Sequence, residues 1–204
     1  MKLCKASLLT IVCLCLTQMM SFGAGKVLLI VQERSEDMNM MIVREANPIM
    51  NALKDAGYEV DIATETGNVL GKGTSVLHPN IKLSDVEVNE YVGVVIPCMA
   101  VPGPPFYAPK LAIEIVKQMY AKGLPIAAQG GGVDVLIKAG ILAGKKYASI
   151  LVYDPKGNDV GSGVVQDGQI LTSGICPNLA RLGLGKDGTE ELMTEFVKML
   201  KSSK

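Results

Sequence analysis

Few residues in this 204-residue chain are placed to do chemistry. The most suggestive stretch is Gly130-Gly131-Gly132, which follows an apolar run over residues 125–128 and precedes a helical spacing of Val133, Leu136, Ile137 and Ile141. A strand that turns sharply into a helix is where many α/β hydrolytic enzymes hold a nucleophile on a strained turn. Glycine has no side chain with which to attack. Its backbone amides at a helix start attract anions, and the same glycines also permit close packing. Gln129, just before them, either orients a ligand through its amide or needs a partner in the core. Cys98 follows the apolar run 92–96 and is the candidate nucleophile, a role that requires a lowered thiol pKa. Its alternatives are a buried thiol, or one half of a disulfide with Cys176. His78, the only histidine, is a candidate base, but it lies beside Pro79 in an irregular stretch that suits a surface position. Glu36, Asp37 and Asn39 gather ahead of the first helix, where carboxylates favour the positive helix end or serve as an acid. His, Cys and acidic residues do not fall at metal-ligand spacing, so neither a metal nor a cofactor is expected.

Alternating strands and helices must position these residues. Residues 26–31 are continuously apolar, as in a buried parallel strand. Residues 40–56 carry helical periodicity, Pro48 predicts a kink or a break near Asn47, and Gly57 ends the helix. Strands are expected over 58–63 and 92–96, with a loop and a short hairpin or strand between them. A proline-rich loop spans 98–109, and an amphipathic helix covers 111–122. Runs over 147–153 and 163–168 read as strands, and Asp167-Gly168 signals a tight hairpin turn into a returning strand over 169–173. A terminal helix over 189–200 has Thr189 as its expected N-cap. This alternation implies one domain, residues 26–204, built as a doubly wound, mostly parallel sheet sandwiched by helices. Ligands of such sheets bind beyond the carboxyl ends of the strands. Here those ends carry residues 32–39, 98–105, 129–132 and 174–178.

Composition sets further bounds. Hydrophobic content of 49% with 20% charged residues is globular. Aromatic content of 4%, without tryptophan, leaves no stacking platform for single-stranded nucleic acid. A net charge of zero with no basic run leaves no electrostatic footprint for it either. Residues 1–25 read as a signal peptide: Lys2 and Lys5, an apolar run over 6–16, then small residues before a cleavage point after Gly23 or Gly25. The run is shorter than the roughly 20 residues of a spanning helix, which sets cleavage against the alternative of a retained anchor. Cleavage takes two positive charges from a formal charge of zero, leaving −2, and removes Cys4, Cys13 and Cys15. The mature protein is then expected to be exported, periplasmic or extracellular, free of the membrane, with Cys98 and Cys176 in an oxidising compartment.

Several segments in order resemble the ThiJ/PfpI family of the class I glutamine amidotransferase-like superfamily. They are Ser35-Glu-Asp-Met38, Leu53-Lys-Asp-Ala-Gly-Tyr-Glu-Val60, Tyr91-Val-Gly-Val-Val-Ile-Pro97, Pro125-Ile-Ala-Ala128, Ala139-Gly-Ile-Leu-Ala-Gly-Lys-Lys146 and Asp167-Gly-Gln-Ile-Leu-Thr-Ser173. The resemblance implies a flavodoxin-like fold and a homodimer. It also implies an elbow of the form Ala-Ile-Cys-(His/Ala)-Gly-Pro. In this chain the cysteine of that elbow falls on Gly130, its neighbour on Gly131, and proline on Val133. The family's acid falls on Asn39, and its Pro-Gly-Gly oxyanion loop becomes Pro97-Cys98-Met99. Three altered elements point to loss of the family's thiol chemistry. The leading expectation is a non-catalytic exported protein that binds a small polar or anionic ligand, or a protein partner, in a cleft lined by Asn39, Cys98, Gln129, Gly130 and Gly131. The alternative is a cysteine-dependent hydrolase of the peptidase, amidase or deglycase type, with Cys98 as a relocated thiol and Glu36 or His78 assisting.

Overall fold

The computed structural model describes residues 24–100 and 108–203. The expected leader, up to Gly23, and most of the proline-rich loop lie outside the described residues. Its centre is a seven-stranded sheet in the order β10-β11-β7-β6-β1-β2-β5, parallel throughout except for β10. The inner strands are β1 (Lys26–Ile30), β2 (Glu59–Thr64), β6 (Tyr91–Ile96), β7 (Ile126–Gln129) and β11 (Ile170–Ser173). The outer ones are β5 (Ile81–Lys82) and β10 (Val164–Asp167). A small hairpin of β3 (Leu70–Lys72) and β4 (Ser75–Leu77) stands apart, as does the short pair β8 (Lys146–Tyr147) and β9 (Asn158–Asp159). The β10–β11 hairpin turns at Gly168, whose φ of +62° suits glycine, as the Asp-Gly signal implied.

Two helical layers cover the sheet because alternate strand residues point to opposite faces. Val27, Leu29 and Val31 face the core shared with α2 (Asn47–Asp55) and α6 (Thr189–Ser202), through Ile49, Leu53, Leu192 and Phe196. Leu28 and Ile30 face α3 (Lys110–Ala121) and α4 (Val133–Ala139), through Ala112, Val116, Val133 and Leu136. A short α5 (Pro177–Arg181) follows β11.

The helix expected over 40–56 arrives in three pieces. α1 (Met38–Met41) passes into a π turn over Ile42–Ala46 and then into α2. Pro48 has no amide to give, so the regular ladder fails there. The chain compensates with a longer loop in which the Asn47 amide reaches back to the Ile42 carbonyl. Two other expectations change. Residues 148–157 are not a strand, because the Ser149 hydroxyl accepts from the amides of Leu151 and Val152 and closes a turn. Thr189 is the first residue of α6, not its cap. Asp187 accepts from the Thr189 amide at 3.0 Å, and the Thr189 hydroxyl is used elsewhere.

The packing of β6 against the turn before α4 is close enough to test. A Cβ at Gly132 would stand 2.3 Å from the Ile96 carbonyl oxygen. Backbone cannot move aside as a flexible side chain can. Gly132→Ala is therefore expected to destabilise the protein by at least about 2 kcal/mol in a urea titration, at the upper part of the range for overpacked cores.

Candidate functional site

The register of the sheet brings the chemistry-bearing residues together. Ile96 pairs with Ala128, so two residues further on Cys98 stands opposite Gly130. Ser173 pairs with Gln129, which sets the loop leading to Cys176 beside the same turn. The strand-to-helix elbow expected at the glycines is present: Gln129 is extended, Gly130 has a φ of +50°, and Gly130–Gly132 form a single 3-10 turn into α4. A residue other than glycine at such a φ carries strain of order 1–2 kcal/mol.

The space beside Gly130 is taken. A Cβ there would lie 2.8 Å from the Cys98 sulfur, 3.0 Å from the Cys98 Cβ and 3.4 Å from the Cys176 Cβ. The Cys98 thiol thus occupies the position towards which an elbow side chain would point. Its sulfur accepts a hydrogen bond from the Gly131 amide at 3.3 Å and shares another with the Cys176 thiol. Both cysteines are free and buried, so the expected pairing is a contact of thiols and not a disulfide. Its role as donor to Cys176, followed by burial and the nearby Glu45 carboxyl, pushes the Cys98 pKa well up. Cys176 is the acceptor of that bond and also receives the amides of Leu179 and Asn178, which lower its pKa against the cost of burial. Of the two, Cys176 is the sulfur whose surroundings favour the thiolate.

A carboxyl does reach this cluster, but it is Glu45. This residue is wholly buried in the π turn and accepts from the Cys98 amide at 2.9 Å and the Met99 amide at 2.8 Å. Those bonds hold the segment after β6 where Met99 and Ala100 have φ values of +52° and +46°. Burial pushes the Glu45 carboxyl well above the usual carboxylate range, with Cys176 and Asp187 adding to the rise and the two amides opposing it. The sequence carried a signal for Glu45. It lies three residues after Ile42 and four before Ile49, on the apolar stripe of an amphipathic helix, where a lone acid calls for a partner.

The other candidates are not gathered here. Asn39 is exposed on α1, and its side chain joins the backbone of Lys72 in both directions, at 2.9 Å and 3.2 Å. It stitches α1 to the β3–β4 hairpin and does not face the elbow. Gln129 is fully buried. Its amide donates to the Ile175 carbonyl at 2.8 Å and accepts from the Thr189 hydroxyl at 3.0 Å, so it ties β7 to α6 and has no free face for a ligand. The Gly131 amide is already committed to sulfur, which weakens the anion reading of the turn. Asp37 caps α1 by accepting from the Met40 amide, and the Glu36 amide donates to the Ala100 carbonyl. His78 is exposed, one residue beyond β4.

Openings lie nearby. A cleft of about 320 Å³ is bounded by Glu36, Asp37, Met38, Asn39, Gly71 and Lys72. A larger groove of about 720 Å³ runs between α2 and α6, with Pro48, Ala52, Met193 and Val197 among its walls, and shares no lining residue with the thiol cluster.

With this geometry in hand, comparison with known proteins is informative. A model of the DJ-1/PfpI family matches residues 25–184. A deglycase of Pyrococcus horikoshii is 29% identical over 182 residues, covering 86% of this chain and 99% of the relative. A deglycase of Thermococcus kodakarensis is 25% identical over 177 residues, with coverage of 86% and 99%. Among solved structures, a ThiJ/PfpI domain protein from Brachyspira murdochii superposes with a TM-score of 0.68 at 16% identity, covering 87% of this chain and 96% of that one. DJ-1beta of Drosophila melanogaster gives 0.59 at 24%, covering 88% and 96%.

The Glu45 clamp yields a pH-dependent prediction. A carboxyl raised in the native state binds its proton more firmly there than in the unfolded chain. Its contribution is therefore complete below the unfolded value of about 4.3 and is lost as pH rises through the native value. Glu45→Gln keeps one acceptor but turns an amide N–H towards the other backbone donor. It is expected to cost about 1–3 kcal/mol at acid pH, with the gap to wild type narrowing as pH rises. Urea unfolding between about pH 4 and pH 8 measures both effects.

Proposed function

This chain belongs to the DJ-1/PfpI family, and from that membership we propose that it is an exported member which has given up the family's elbow-thiol chemistry and works by binding. The observation carrying this reading is that the positive-φ residue of the elbow is Gly130, with its side-chain space filled by the Cys98 sulfur. A buried thiol with a raised pKa is a poor resting nucleophile, because the thiolate is the reactive form. The ligand we propose is a small polar molecule, or a polar segment of a protein partner, in the cleft bounded by α1 and the β3–β4 hairpin. Glu36 and Asp37 beside a single Lys72 favour a neutral or zwitterionic ligand there over an anion. Export rests on the basic and apolar character of residues 1–25.

A second reading has its own support. Cys98 stands where an elbow nucleophile would act, receives the Gly131 amide, and the relatives are named deglycases. It assigns the chain cysteine-dependent deglycase or hydrolase chemistry through Cys98.

One pair of variants separates the two. Wild type is expected to show no turnover of a glycated peptide above background, and Cys98→Ser no change. Turnover that Cys98→Ser abolishes would establish the second reading in place of the first. The double variant Cys98→Gly with Gly130→Cys moves the sulfur to the elbow and removes its obstruction. Its thiol is expected to be alkylated at neutral pH at least about tenfold faster than Cys98 in wild type, the change brought by one pKa unit. Gly130→Cys alone is expected to be destabilised by the clash with the Cys98 sulfur.

A further inference from the structure

The reading above leaves two buried thiols without a task. Neither is an isolated packing residue. Their sulfurs share a hydrogen bond, and their Cβ atoms lie 3.0 Å and 3.4 Å from a common point at residue 130. They come from different strand ends, since Cys98 follows β6 and Cys176 follows β11. Their environments also differ. Cys176 precedes α5 and receives the amides of Asn178 and Leu179 on its sulfur. Cys98 donates to Cys176 and sits on a backbone segment with two non-glycine residues at positive φ. The Cys176 sulfur is therefore the better placed of the two to carry negative charge, while Cys98 donates to it from the end of a strained segment. Gly130 is what makes room for both.

We infer that Cys98 and Cys176 form a reversible two-electron thiol–disulfide couple, exchanging with disulfide-bearing small molecules or proteins. This use of the site rests on the reading that the elbow carries no nucleophile of its own. In the oxidising direction the Cys176 thiolate attacks one sulfur of a disulfide R–S–S–R. The S–S bond breaks, and the first RS⁻ leaves and takes up the proton that Cys176 gave up. Cys98 then attacks the Cys176 sulfur of the mixed disulfide. The second RS⁻ leaves with the Cys98 proton. The chain has lost two electrons and two protons, and the partner has become two thiols. Burial makes opening of the 98–100 segment the access step. Because the Glu45 carboxyl holds the amides of Cys98 and Met99, it controls that opening.

The test uses the intact folded protein in glutathione buffers of stepped ratio, quenched by alkylation and read by intact mass. Expected for wild type is a species lighter by two hydrogens that resists alkylation and reverts with reduced glutathione. Its population relative to the dithiol should scale with the oxidised glutathione concentration divided by the square of the reduced one, as a two-electron couple requires. Cys98→Ser is expected to stop at a glutathione adduct on Cys176. Glu45→Gln is expected to reach the oxidised form at least several-fold faster. The inference is overturned if wild type keeps two free thiols in oxidised glutathione, or if it accumulates only the mixed adduct. Should Cys98→Ser fail to fold, the wild-type titration decides alone. Peptide turnover measured on the same reduced samples keeps the outcomes apart. Turnover lost in Cys98→Ser would sink the non-catalytic reading, whereas absence of the couple would leave it standing.

Discussion

The geometry at the carboxyl edge of the sheet depends on one carboxyl group. Glu45 spends its two oxygens on the amides of Cys98 and Met99, and this contact fixes where β6 ends. Without it, two consecutive residues at positive φ would have little reason to stay there, since each conformation costs of order 1 kcal/mol or more for a residue with a Cβ. With it, the Cys98 sulfur is delivered to the Gly130 elbow and the Gly131 amide, and Cys176 closes the cluster from the neighbouring strand. The π turn is part of the same constraint. Pro48 breaks the ladder one turn below, and the extra residue in the turn accompanies a Glu45 that points inward among apolar neighbours.

The architecture was legible because it rests on periodicity. Runs such as Val27–Leu28–Leu29–Ile30, with alternate residues feeding opposite cores, announce a strand covered on both faces. Pro48 announces an irregularity in its helix, met as the π turn, and Asp167-Gly168 its hairpin. What failed was local. A run of apolar residues over 150–153 reads as strand, yet a single hydroxyl at Ser149 bends it into a turn. Thr189 has the chemistry of a cap but is itself the first residue of the helix, with its hydroxyl turned to the Asp187 carboxylate and the Gln129 side-chain carbonyl.

The site was half legible. Cys98, Cys176 and the glycine turn were singled out by their places after strands, and the register brings them together as that placement implied. Asn39 and Gln129 were singled out for the same reason but serve other contacts, since a position near a strand end does not say which way a side chain points. Glu45 is missed because matching the family's pattern puts its acid on Asn39, six residues earlier, and so passes over the lone carboxyl on the apolar stripe of the helix, which the π turn carries to the Cys98 and Met99 amides.

The exclusion between residues 98 and 130 also limits which pairs of residues the fold can hold there. A chain with cysteine at both positions would be overfilled, with two sulfurs competing for one volume, at a cost of order 1–3 kcal/mol. A chain with a small residue at both would instead carry a hollow the size of one side chain, a defect the surroundings can partly close. Residues 98 and 130 therefore share one allotment of volume: the fold has room for a single sulfur-bearing side chain between them, on the strand end or on the helix start.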